Sequence, residues 1–406
     1  MACYIRNISY FCIVKHLYAL FIAVFLLNSQ FITLRAQRVV VPDSVQISLL
    51  TCSPHDEVYS LYGHTALRVE NLQTGMDVAI NYGMFSFDKP YFVLRFVFGL
   101  TDYTMGIVPF SEFCREYAYY GSSVTQQTLN LSADDKIRVL KALEHNFKPE
   151  NRIYRYNYFY NNCTTKAVDI VFDNIDGNIV YTDTVPSGMT FRKMLHVMTE
   201  HNPWAQFGND MLLGVGADRE MSLDECHFLP HSMLSALDSA YIIDSQGNKR
   251  RAVLKKKIIV EEVPVLSASN LVTPVFCAIC FFVFNLLITL VEWKTKKYFW
   301  LYDSLLLLLV GVGGIILTAM IFSQHPTVSL NTQILFLNPI PLFWGYRAIK
   351  MQYNKKYCNF WVFEILLICL MLVLYSFEIQ WVSPPVLLLA LSLLLRCSVK
   401  LLNRSK

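Results

Sequence analysis

The sequence predicts an exported α+β domain followed by an all-α membrane domain of five helices. Leu, Ile, Val and Phe dominate the chain from about residue 271 onward, whereas residues 38–260 are mixed in polarity. Within residues 38–260, short runs that alternate apolar and polar side chains are interspersed with stretches of helical spacing. In the apolar half, Lys and Arg cluster in short loops, as in proteins that cross a membrane several times.

The first 37 residues have the pattern of a secretory signal. Arg6 and Lys15 precede an apolar core over residues 17–27, and residues 34–37 offer a small-residue cleavage site. The alternative is an uncleaved signal anchor. Both versions export the domain that follows.

Charge and cysteine usage narrow the function classes. The formal net charge is +4, and the absence of a basic stripe with interleaved aromatic residues argues against nucleic-acid binding. The exported cysteines Cys52, Cys114, Cys163 and Cys226 show neither a CxxC motif nor metal-ligand spacing. We therefore expect no metal and no cofactor. If one of these cysteines is a catalytic thiol, the other three cannot all pair.

The first strands are predicted from an apolar run and an alternation. Residues 45–51 form a compact apolar run of strand length, and residues 64–70 alternate, with His64 and Arg68 on one face. Turn-forming residues separate this strand from a return strand over 77–82. We therefore expect an antiparallel pair in which His64 begins a strand.

The middle of the exported domain mixes strands with a helix. Residues 103–108 and 124–131 predict further strands, and the aromatic segment 84–99 fits either a strand pair or a short helix. Ser132 is the expected N-cap of the following helix, with Asp135 as its capping-box partner.

A change of period marks the region around Cys163. An aromatic, strand-like run over 154–160 leads into this cysteine, and helical spacing then continues to Asn174. Asn162 is the expected N-cap, because its side-chain oxygen can accept from free amides of the first turn. Residues 175–260 have an irregular, loop-rich pattern, and we expect a lid over a site or a connection to the membrane there.

Cys163 and His64 are the candidate nucleophile and general base. A thiol in the first turn of a helix has a lowered pKa, because the free amides and the macrodipole favour negative charge. A neutral imidazole nearby can take the proton and return it, and the helix amides can hold an oxyanion. Taken singly, each residue is more often structural, so the pattern alone does not pair them.

A catalytic imidazole is commonly oriented by a third group. Asn81, Asp77 and Glu70 lie on or near the neighbouring strand, and we choose Asn81 because it stands near the end of that strand. Arg68 shares the face of His64 and is a candidate for a substrate phosphate or carboxylate. An ordinary ion pair is the alternative for Arg68.

Five apolar segments of the C-terminal half are long enough to span a membrane. Basic residues follow the first, third and fifth, whereas the loops 323–330 and 376–383 carry no Lys or Arg. The positive-inside rule therefore places residues 38–270 outside and the C-terminus in the cytoplasm. The segments lie at about 271–293, 299–322, 329–346, 359–377 and 379–396.

Polar residues interrupt these apolar segments. Glu364 lies in the fourth, and Asn331, Gln333 and Asn338 lie in the third. Polar side chains are costly inside a bilayer. We expect either hydrogen bonds between helices or a lipid-handling groove that opens toward the outer leaflet.

Three runs of the sequence carry a resemblance to a known family. They include YGHTALRV over 62–69, NYGMF over 81–85 and YNYFYNNCTT over 156–165. As a set they resemble the Bacteroides-type lipoprotein N-acyltransferases (Lnb), whose membrane region the five apolar segments also resemble. Histidine before cysteine is similar to the circularly permuted branch of the papain-like NlpC/P60 group. His55 departs from the family pattern, in which a glycine is expected.

The resemblance implies a bacterial inner-membrane enzyme whose periplasmic domain N-acylates the diacylglyceryl-modified N-terminal cysteine of lipoproteins. It implies that Cys163 takes an acyl chain from a phospholipid as a thioester and that His64 is the general base. Asn81 is our third catalytic residue. The expected substrate-binding residues are Tyr62, Arg68, Asn162 and Thr164.

Two other functions fit the same residues. One is a membrane-anchored cysteine peptidase or amidase of the cell envelope, and the other is a non-catalytic envelope assembly factor in which Cys163 is structural. Five spans favour an enzyme whose two substrates both lie in the bilayer. The predicted organisation is a signal peptide (1–37), a periplasmic catalytic domain (38–260), a transmembrane domain (271–396) and a cytoplasmic tail (397–406).

Overall fold

An antiparallel sheet organises the exported half of the chain in the computed structural model, which describes residues 44–402 except 56, 58–59, 86–89 and 264–271. The predicted signal segment lies outside the described residues. In chain order the strands are β1 (Val45–Cys52), β2 (His64–Asn71), β3 (Met76–Met84), β4 (Asp102–Pro109), β5 (Val124–Leu129), β6 (Ile153–Arg155), β7 (Asn178–Val180), β8 (Tyr241–Ile243), β9 (Lys249–Arg251) and β10 (Val253–Val260).

Seven strands form the main sheet in the order β10-β5-β1-β2-β3-β4-β6. Every pair is antiparallel, and Cys52 at the end of β1 lies opposite His64 at the start of β2. The predicted strands β1 to β5 are confirmed, including the β2–β3 hairpin. Because β1 is an interior strand of the sheet and nearly all of its residues are buried, its sequence is mostly apolar.

Helices cover both faces of the main sheet. They are α1 (Phe92–Val97), α2 (Phe110–Tyr119), α3 (Ala133–Phe147), α4 (Cys163–Phe172), α5 (Phe191–Met198), α6 (Pro203–Leu212), α7 (Leu223–Cys226) and α8 (Pro230–Ser239). Aromatic side chains of α2 pack on Ala66 and Ala79. On the opposite face, Thr164 of α4 lies 3.0 Å from the hydroxyl of Thr65.

The predicted helix boundaries are confirmed where a cap was present in the sequence. Ser132 and Asp135 form the expected capping box of α3. The segment over 84–99 adopts the short-helix alternative as α1. The strand-like run before Cys163 is shorter than predicted, because β6 ends at Arg155 and turns follow.

The prediction that residues 175–260 are loop-rich is wrong. This part of the chain contains α5 to α8, a small sheet of β7, β8 and β9, and the edge strand β10. Pro203 and Pro230 are each the first residue of a helix, where the missing N–H costs nothing. The strand β10 was not predicted because Lys255–Lys257 give it a polar sequence. Charged residues of this kind protect an exposed sheet edge from pairing with another chain.

The membrane half contains five helices within the described residues. Among them α9, α10 and α13 are long and apolar enough to cross a membrane, and α12 is a shorter apolar helix. They are α9 (Pro274–Thr295), α10 (Trp300–Met320), α11 (Ile340–Tyr353), α12 (Phe360–Ser376) and α13 (Pro384–Leu402).

The predicted third and fifth spans need correction. Residues 329–346 do not form one helix: a 3₁₀ turn over Thr332–Leu335 precedes α11, whose 14 residues start only at Ile340. At 1.5 Å per residue α11 is roughly 21 Å long, less than the ~30 Å of a hydrocarbon core. Pro384 begins α13 rather than interrupting it, and α13 continues to Leu402, beyond the predicted end.

Four buried charges join α9, α10 and α13. Arg396 lies 2.9 Å from Glu292 and 2.8 Å from Asp303, and Lys400 lies 2.9 Å and 2.6 Å from the same two carboxylates. Each of the four side chains is at most 2% exposed. Arg396 and Lys400, counted above as loop charges, are therefore ion-paired inside the helix bundle.

The polar residues of the third apolar segment bind the exported domain. Asn331 Nδ2 donates to Met211 O at 3.0 Å, and Gln333 Nε2 donates to Asp210 O at 2.6 Å. These carbonyls end α6, where a helix lacks partners of its own. Asn338 makes a bond of the predicted kind, because it donates to Glu364 of α12 at 3.1 Å.

Both loops that lack Lys and Arg contact the exported domain. Gln324 N donates to Phe98 O at 3.0 Å, and Trp381 N donates to Asp218 Oδ2 at 3.1 Å. The C-terminal ends of α10 and α12 therefore lie on the side of the exported domain.

Candidate active site at the membrane end of the sheet

Cys163 is the first residue of α4 because the preceding chain turns sharply. Asn157 Oδ1 accepts from Phe159 N at 3.1 Å and from Tyr160 N at 3.2 Å, which forms a side-chain-mediated turn. Asn162 is then extended and accepts from the amides of Thr164 and Thr165. The predicted N-cap is confirmed, and it fixes the thiol at the helix start.

His64 is held at the start of β2 by the glycine before it. Gly63 has φ +74°, and a Cβ on it would lie 2.6 Å from Cys52 O. His64 Nε2 lies 3.1 Å from Asn81 Oδ1, and the ring stacks on Tyr117 of α2 at 6.4 Å between centroids. The residue chosen as the third group therefore contacts the imidazole directly.

The thiol of Cys163 lies beside the imidazole of His64, because the hydroxyls of the following residues, Thr164 and Thr65, are hydrogen-bonded at 3.0 Å and each of the two groups shifts the pKa of the other. With Nε2 at Asn81, the nitrogen left for the thiol is Nδ1. Gly83 lies beside the thiol on β3, where an added Cβ would be 3.4 Å from Cys163 Cβ. The structure thus brings together all three residues predicted to be catalytic.

The two titratable groups shift each other's pKa. Burial raises the pKa of the Cys163 thiol, but His64 and hydrogen bonds from the Thr65 backbone N–H and the Thr164 hydroxyl outweigh it, so the pKa is lowered. Burial lowers the pKa of His64, but the charge and hydrogen bond of Cys163 and the Asn81 contact raise it overall. The arrangement favours a thiolate beside an imidazolium.

The expectation that several first-turn amides hold an oxyanion needs correction. Thr164 N and Thr165 N donate to Asn162 Oδ1 at 2.8 and 3.0 Å, and Lys166 N donates to Asn162 O at 3.0 Å. Among the first four amides of α4, that leaves the N–H of Cys163 for an oxyanion.

Two of the expected substrate contacts are structural. Asn162 Nδ2 donates to Tyr158 O and Phe228 O at 2.8 and 2.9 Å while its oxygen caps α4. Thr164 is fully buried against Thr65. Both side chains position the start of α4.

The guanidinium of Arg68 is also fully engaged by neighbouring side chains. Its guanidinium donates to Asp77 at 2.8 and 2.9 Å, to Glu70 at 3.0 Å and to Gln126 at 2.8 Å, and it lies 3.8 Å above the Phe110 ring. It follows His64 by four residues, roughly 13 Å along the strand. The ion pair, the alternative for Arg68, is the arrangement that the structure shows.

Tyr62 connects the histidine loop to α6. Its hydroxyl accepts from Asn209 Nδ2 at 2.6 Å, and its ring meets Tyr158 edge-on at 5.3 Å. This contact ties the segment before His64 to the helix that binds the membrane domain.

Tyrosines around the thiol were not identified from the sequence. The Tyr156 ring stacks on Tyr103 at 4.0 Å between centroids. Burial and then the charge of Cys163 raise the pKa of both hydroxyls, which keeps them neutral donors. The only sequence signal for these tyrosines was the aromatic composition of the run before Cys163.

Within the described residues, no cluster of three or more His, Cys, Asp or Glu side chains is arranged to hold a metal ion. Cys52, Cys114, Cys163 and Cys226 are all free thiols, and Cys163 is partly exposed.

Two family models match the chain. Residues 33–196 match the Lnb N-terminal periplasmic domain, and residues 267–406 match the Lnb transmembrane domain. The first match contains His64, Asn81 and Cys163, and the second contains α9 to α13. No curated protein and no solved structure matches the chain.

Proposed function

The chain belongs to the Lnb family, and we propose that it is a lipoprotein N-acyltransferase of the bacterial inner membrane. Its two matched domains make it a membrane protein with a periplasmic N-terminal part. In this proposal a phospholipid is the acyl donor, and the N-terminal amine of a diacylated lipoprotein is the acceptor.

The first half-reaction loads the enzyme. The Cys163 thiolate attacks the carbonyl carbon of a phospholipid ester, and the N–H of Cys163 stabilises the oxyanion. When the C–O bond breaks, the His64 imidazolium gives its proton to the departing alcohol of the lysophospholipid. A thioester on Cys163 and a neutral imidazole remain.

The second half-reaction releases the product. The amine of the lipoprotein's diacylglyceryl-cysteine attacks the thioester, and His64 removes a proton from the nitrogen. The C–S bond breaks, which leaves an amide on the lipoprotein and restores the thiolate beside an imidazolium. Asn81 holds the ring in position through both steps.

One observation carries this proposal: Cys163 at a helix start lies beside His64, whose Nε2 lies 3.1 Å from Asn81 Oδ1. The order nucleophile, base and orienting group is that of acyl-transfer enzymes.

The position of the site favours lipid substrates over soluble peptides. Asp102 at the start of β4 pairs with Arg155 at 2.7 Å, and Arg155 Nη1 donates to Gln324 Oε1 at 3.2 Å. Gln324 follows the outer end of α10, and β4 starts at the sheet end that carries the thiol. The reactive end of the sheet therefore lies toward the membrane helices.

We also propose the circularly permuted papain-like, NlpC/P60-type fold for the exported domain. It is supported by a helix that begins at the candidate nucleophile and packs on an antiparallel sheet. The histidine stands on a strand of that sheet and precedes the cysteine in the chain.

The proposed topology has five spans and a cytoplasmic C-terminus. The loops 323–330 and 376–383 lie against the exported domain, whereas Lys294, Lys296 and Lys297 are exposed at the other end of α9. This distribution follows the positive-inside rule.

The decisive experiment is intact-mass detection of an acyl adduct. The full chain in phospholipid proteoliposomes should gain one acyl mass on Cys163, and Cys163→Ser should gain none at this position. A diacylated reporter lipoprotein should then remove the adduct and become N-acylated. Release of peptide fragments without an acyl-enzyme would identify a peptidase instead. A wild-type protein that forms no adduct and acylates no reporter would contradict the proposal.

A further inference from the structure

Exposed apolar side chains surround the short helix α1. Tyr91 is 77% exposed, Leu94 56%, Leu100 38% and Phe96 37%. We call these four residues the α1 patch. Exposed apolar residues this close together mark an interaction surface more often than a solvated one.

The α1 patch adjoins the outer end of a membrane helix. Phe98 O accepts from Gln324 N at 3.0 Å, and the Phe96 ring lies 6.1 Å from the ring of His325. The same loop carries Phe322, which is 75% exposed and follows α10 almost directly. A phenylalanine this exposed next to a spanning helix belongs in lipid, and the α1 patch lies at the same level.

A stack of aromatic rings connects α1 with the candidate active site. Centroid distances are 5.5 Å from Phe92 to Phe85, 5.0 Å from Phe85 to Tyr103 and 4.0 Å from Tyr103 to Tyr156. Tyr103 and Cys163 both border Gly83, where an added Cβ would lie 4.0 Å from the Tyr103 ring and 3.4 Å from Cys163 Cβ. The α1 patch therefore has a fixed position relative to the thiol.

The charge at α1 is neutralised on the side toward the sheet. Arg95 Nη2 donates to Leu100 O at 3.2 Å and to Asp102 at 3.3 Å. What α1 presents outward is apolar, with a tyrosine at its start. Apolar residues flanked by an amphipathic aromatic ring are typical of segments that lie in a membrane interface.

We propose that the α1 patch inserts into the outer leaflet and receives the acyl chains of the phospholipid donor, so that the donor's ester lies at Cys163. This inference rests on the proposed function for the identity of the donor. It assigns lipid contact to residues outside the catalytic set.

Photo-crosslinking tests the lipid contact without an activity readout. A photoreactive amino acid replaces Leu94 in the full chain, in vesicles of phosphatidylethanolamine and phosphatidylglycerol with alkyne-tagged phosphatidylethanolamine. Leu72 is the matched control, because it is a leucine of similar exposure, 62%, in the turn after β2 at the opposite end of the sheet. Lipid adducts should form at position 94 and not at 72. Equal labelling, or no labelling at position 94, would overturn the inference.

A charge substitution tests the role in loading. Leu94→Asp should slow thioester formation on Cys163 by about tenfold or more, because a carboxylate is excluded from lipid, whereas Leu72→Asp should not. Alkylation of Cys163 by iodoacetamide should be equal in both variants, which shows an intact site. If wild type loads and Leu94→Asp loads as fast, the inference is wrong. If wild type never loads, the proposed function fails, and the crosslink at position 94 alone decides lipid contact.

Discussion

Asn81 Oδ1 lies 3.1 Å from His64 Nε2, which leaves Nδ1 of the imidazole as the nitrogen available to the Cys163 thiol. The strand pair that holds this contact is in register, with Ala66 opposite Asn81. The orientation of the ring is therefore set by a backbone ladder, and the proposed base is in place before substrate binds.

Removing the Asn81 carboxamide should impair catalysis more than folding. We expect Asn81→Ala to lower the rate of acyl transfer by roughly 10²-fold, the cost of a misplaced catalytic group. The rate of thioester formation measures the effect. Met76→Ala, at the exposed far end of the same strand, is the control and should keep the wild-type rate. Wild-type transfer by Asn81→Ala would remove this residue from the mechanism.

The reactivity of Cys163 should reach its plateau at a lower pH than that of an ordinary thiol. Its pKa is lowered in spite of burial because His64 favours the thiolate, so the thiolate fraction at neutral pH is raised. As pH falls, the pair is protonated and alkylation slows. The alkylation rate of the Cys163 peptide, measured by mass spectrometry across pH, reports this.

His64→Ala should move that alkylation profile upward in pH. Without the imidazole, burial remains as the largest influence on the Cys163 pKa, and burial raises it. Alkylation near neutral pH should therefore be slower than in wild type, and the two rates should converge at high pH. Superimposed profiles would show that the two groups do not interact.

Gly63 and Gly75 allow the effect of backbone strain to be measured apart from the effect of a steric clash. Gly63 and Gly75 both have φ +74°, but a Cβ at Gly63 meets Cys52 O at 2.6 Å, whereas nothing lies within 4 Å at Gly75. Gly75→Ala should cost about 1–2 kcal/mol of stability from the left-handed conformation alone and keep activity. Gly63→Ala should cost more and also displace His64. Thermal unfolding and thioester formation together distinguish the two outcomes.

The buried charges of the membrane half should behave as one unit. Lys400→Met alone leaves one buried carboxylate without a cation, and Asp303→Asn alone leaves one buried cation without a carboxylate. Each should lower the free energy of unfolding by about 3–5 kcal/mol. The double variant keeps the pair between Arg396 and Glu292 and should be more stable than either single variant. Unfolding in detergent measures this double-mutant cycle, and simple additivity would contradict it.

Local signals predicted the site better than they predicted its surroundings. Asn162 and the alternation from His64 are short-range patterns, and both elements form as expected. The tyrosines Tyr103 and Tyr156 come from different strands and loops, and only the folded sheet brings them to the thiol. Contacts between segments far apart in sequence leave no periodic trace in either one.

The wrong predictions involve residues whose type fits two different structural roles. Pro203 marks a break in a periodic pattern, but it also suits the first turn of a helix, as it does in α6. Gln333 interrupts an apolar segment, but its partner is the carbonyl of Asp210 in another domain. Arg396 follows the fifth apolar segment and was therefore counted as a cytoplasmic charge, but in the structure it is paired with the carboxylate of Asp303.

Gln333, Asn331 and Gln380 of the membrane half donate to the carbonyls of Asp210, Met211 and Leu213 and so hold the C-terminal end of α6. In the proposed reaction, a thiol held at a constant distance from the membrane helices selects its acceptor by reach. An amine next to its own lipid anchor comes within range, whereas an amine at the end of a long peptide spacer is held too far out. Shortening or lengthening the segment between a reporter's anchor and its amine should therefore change its acylation, even when the chemistry of the amine is the same.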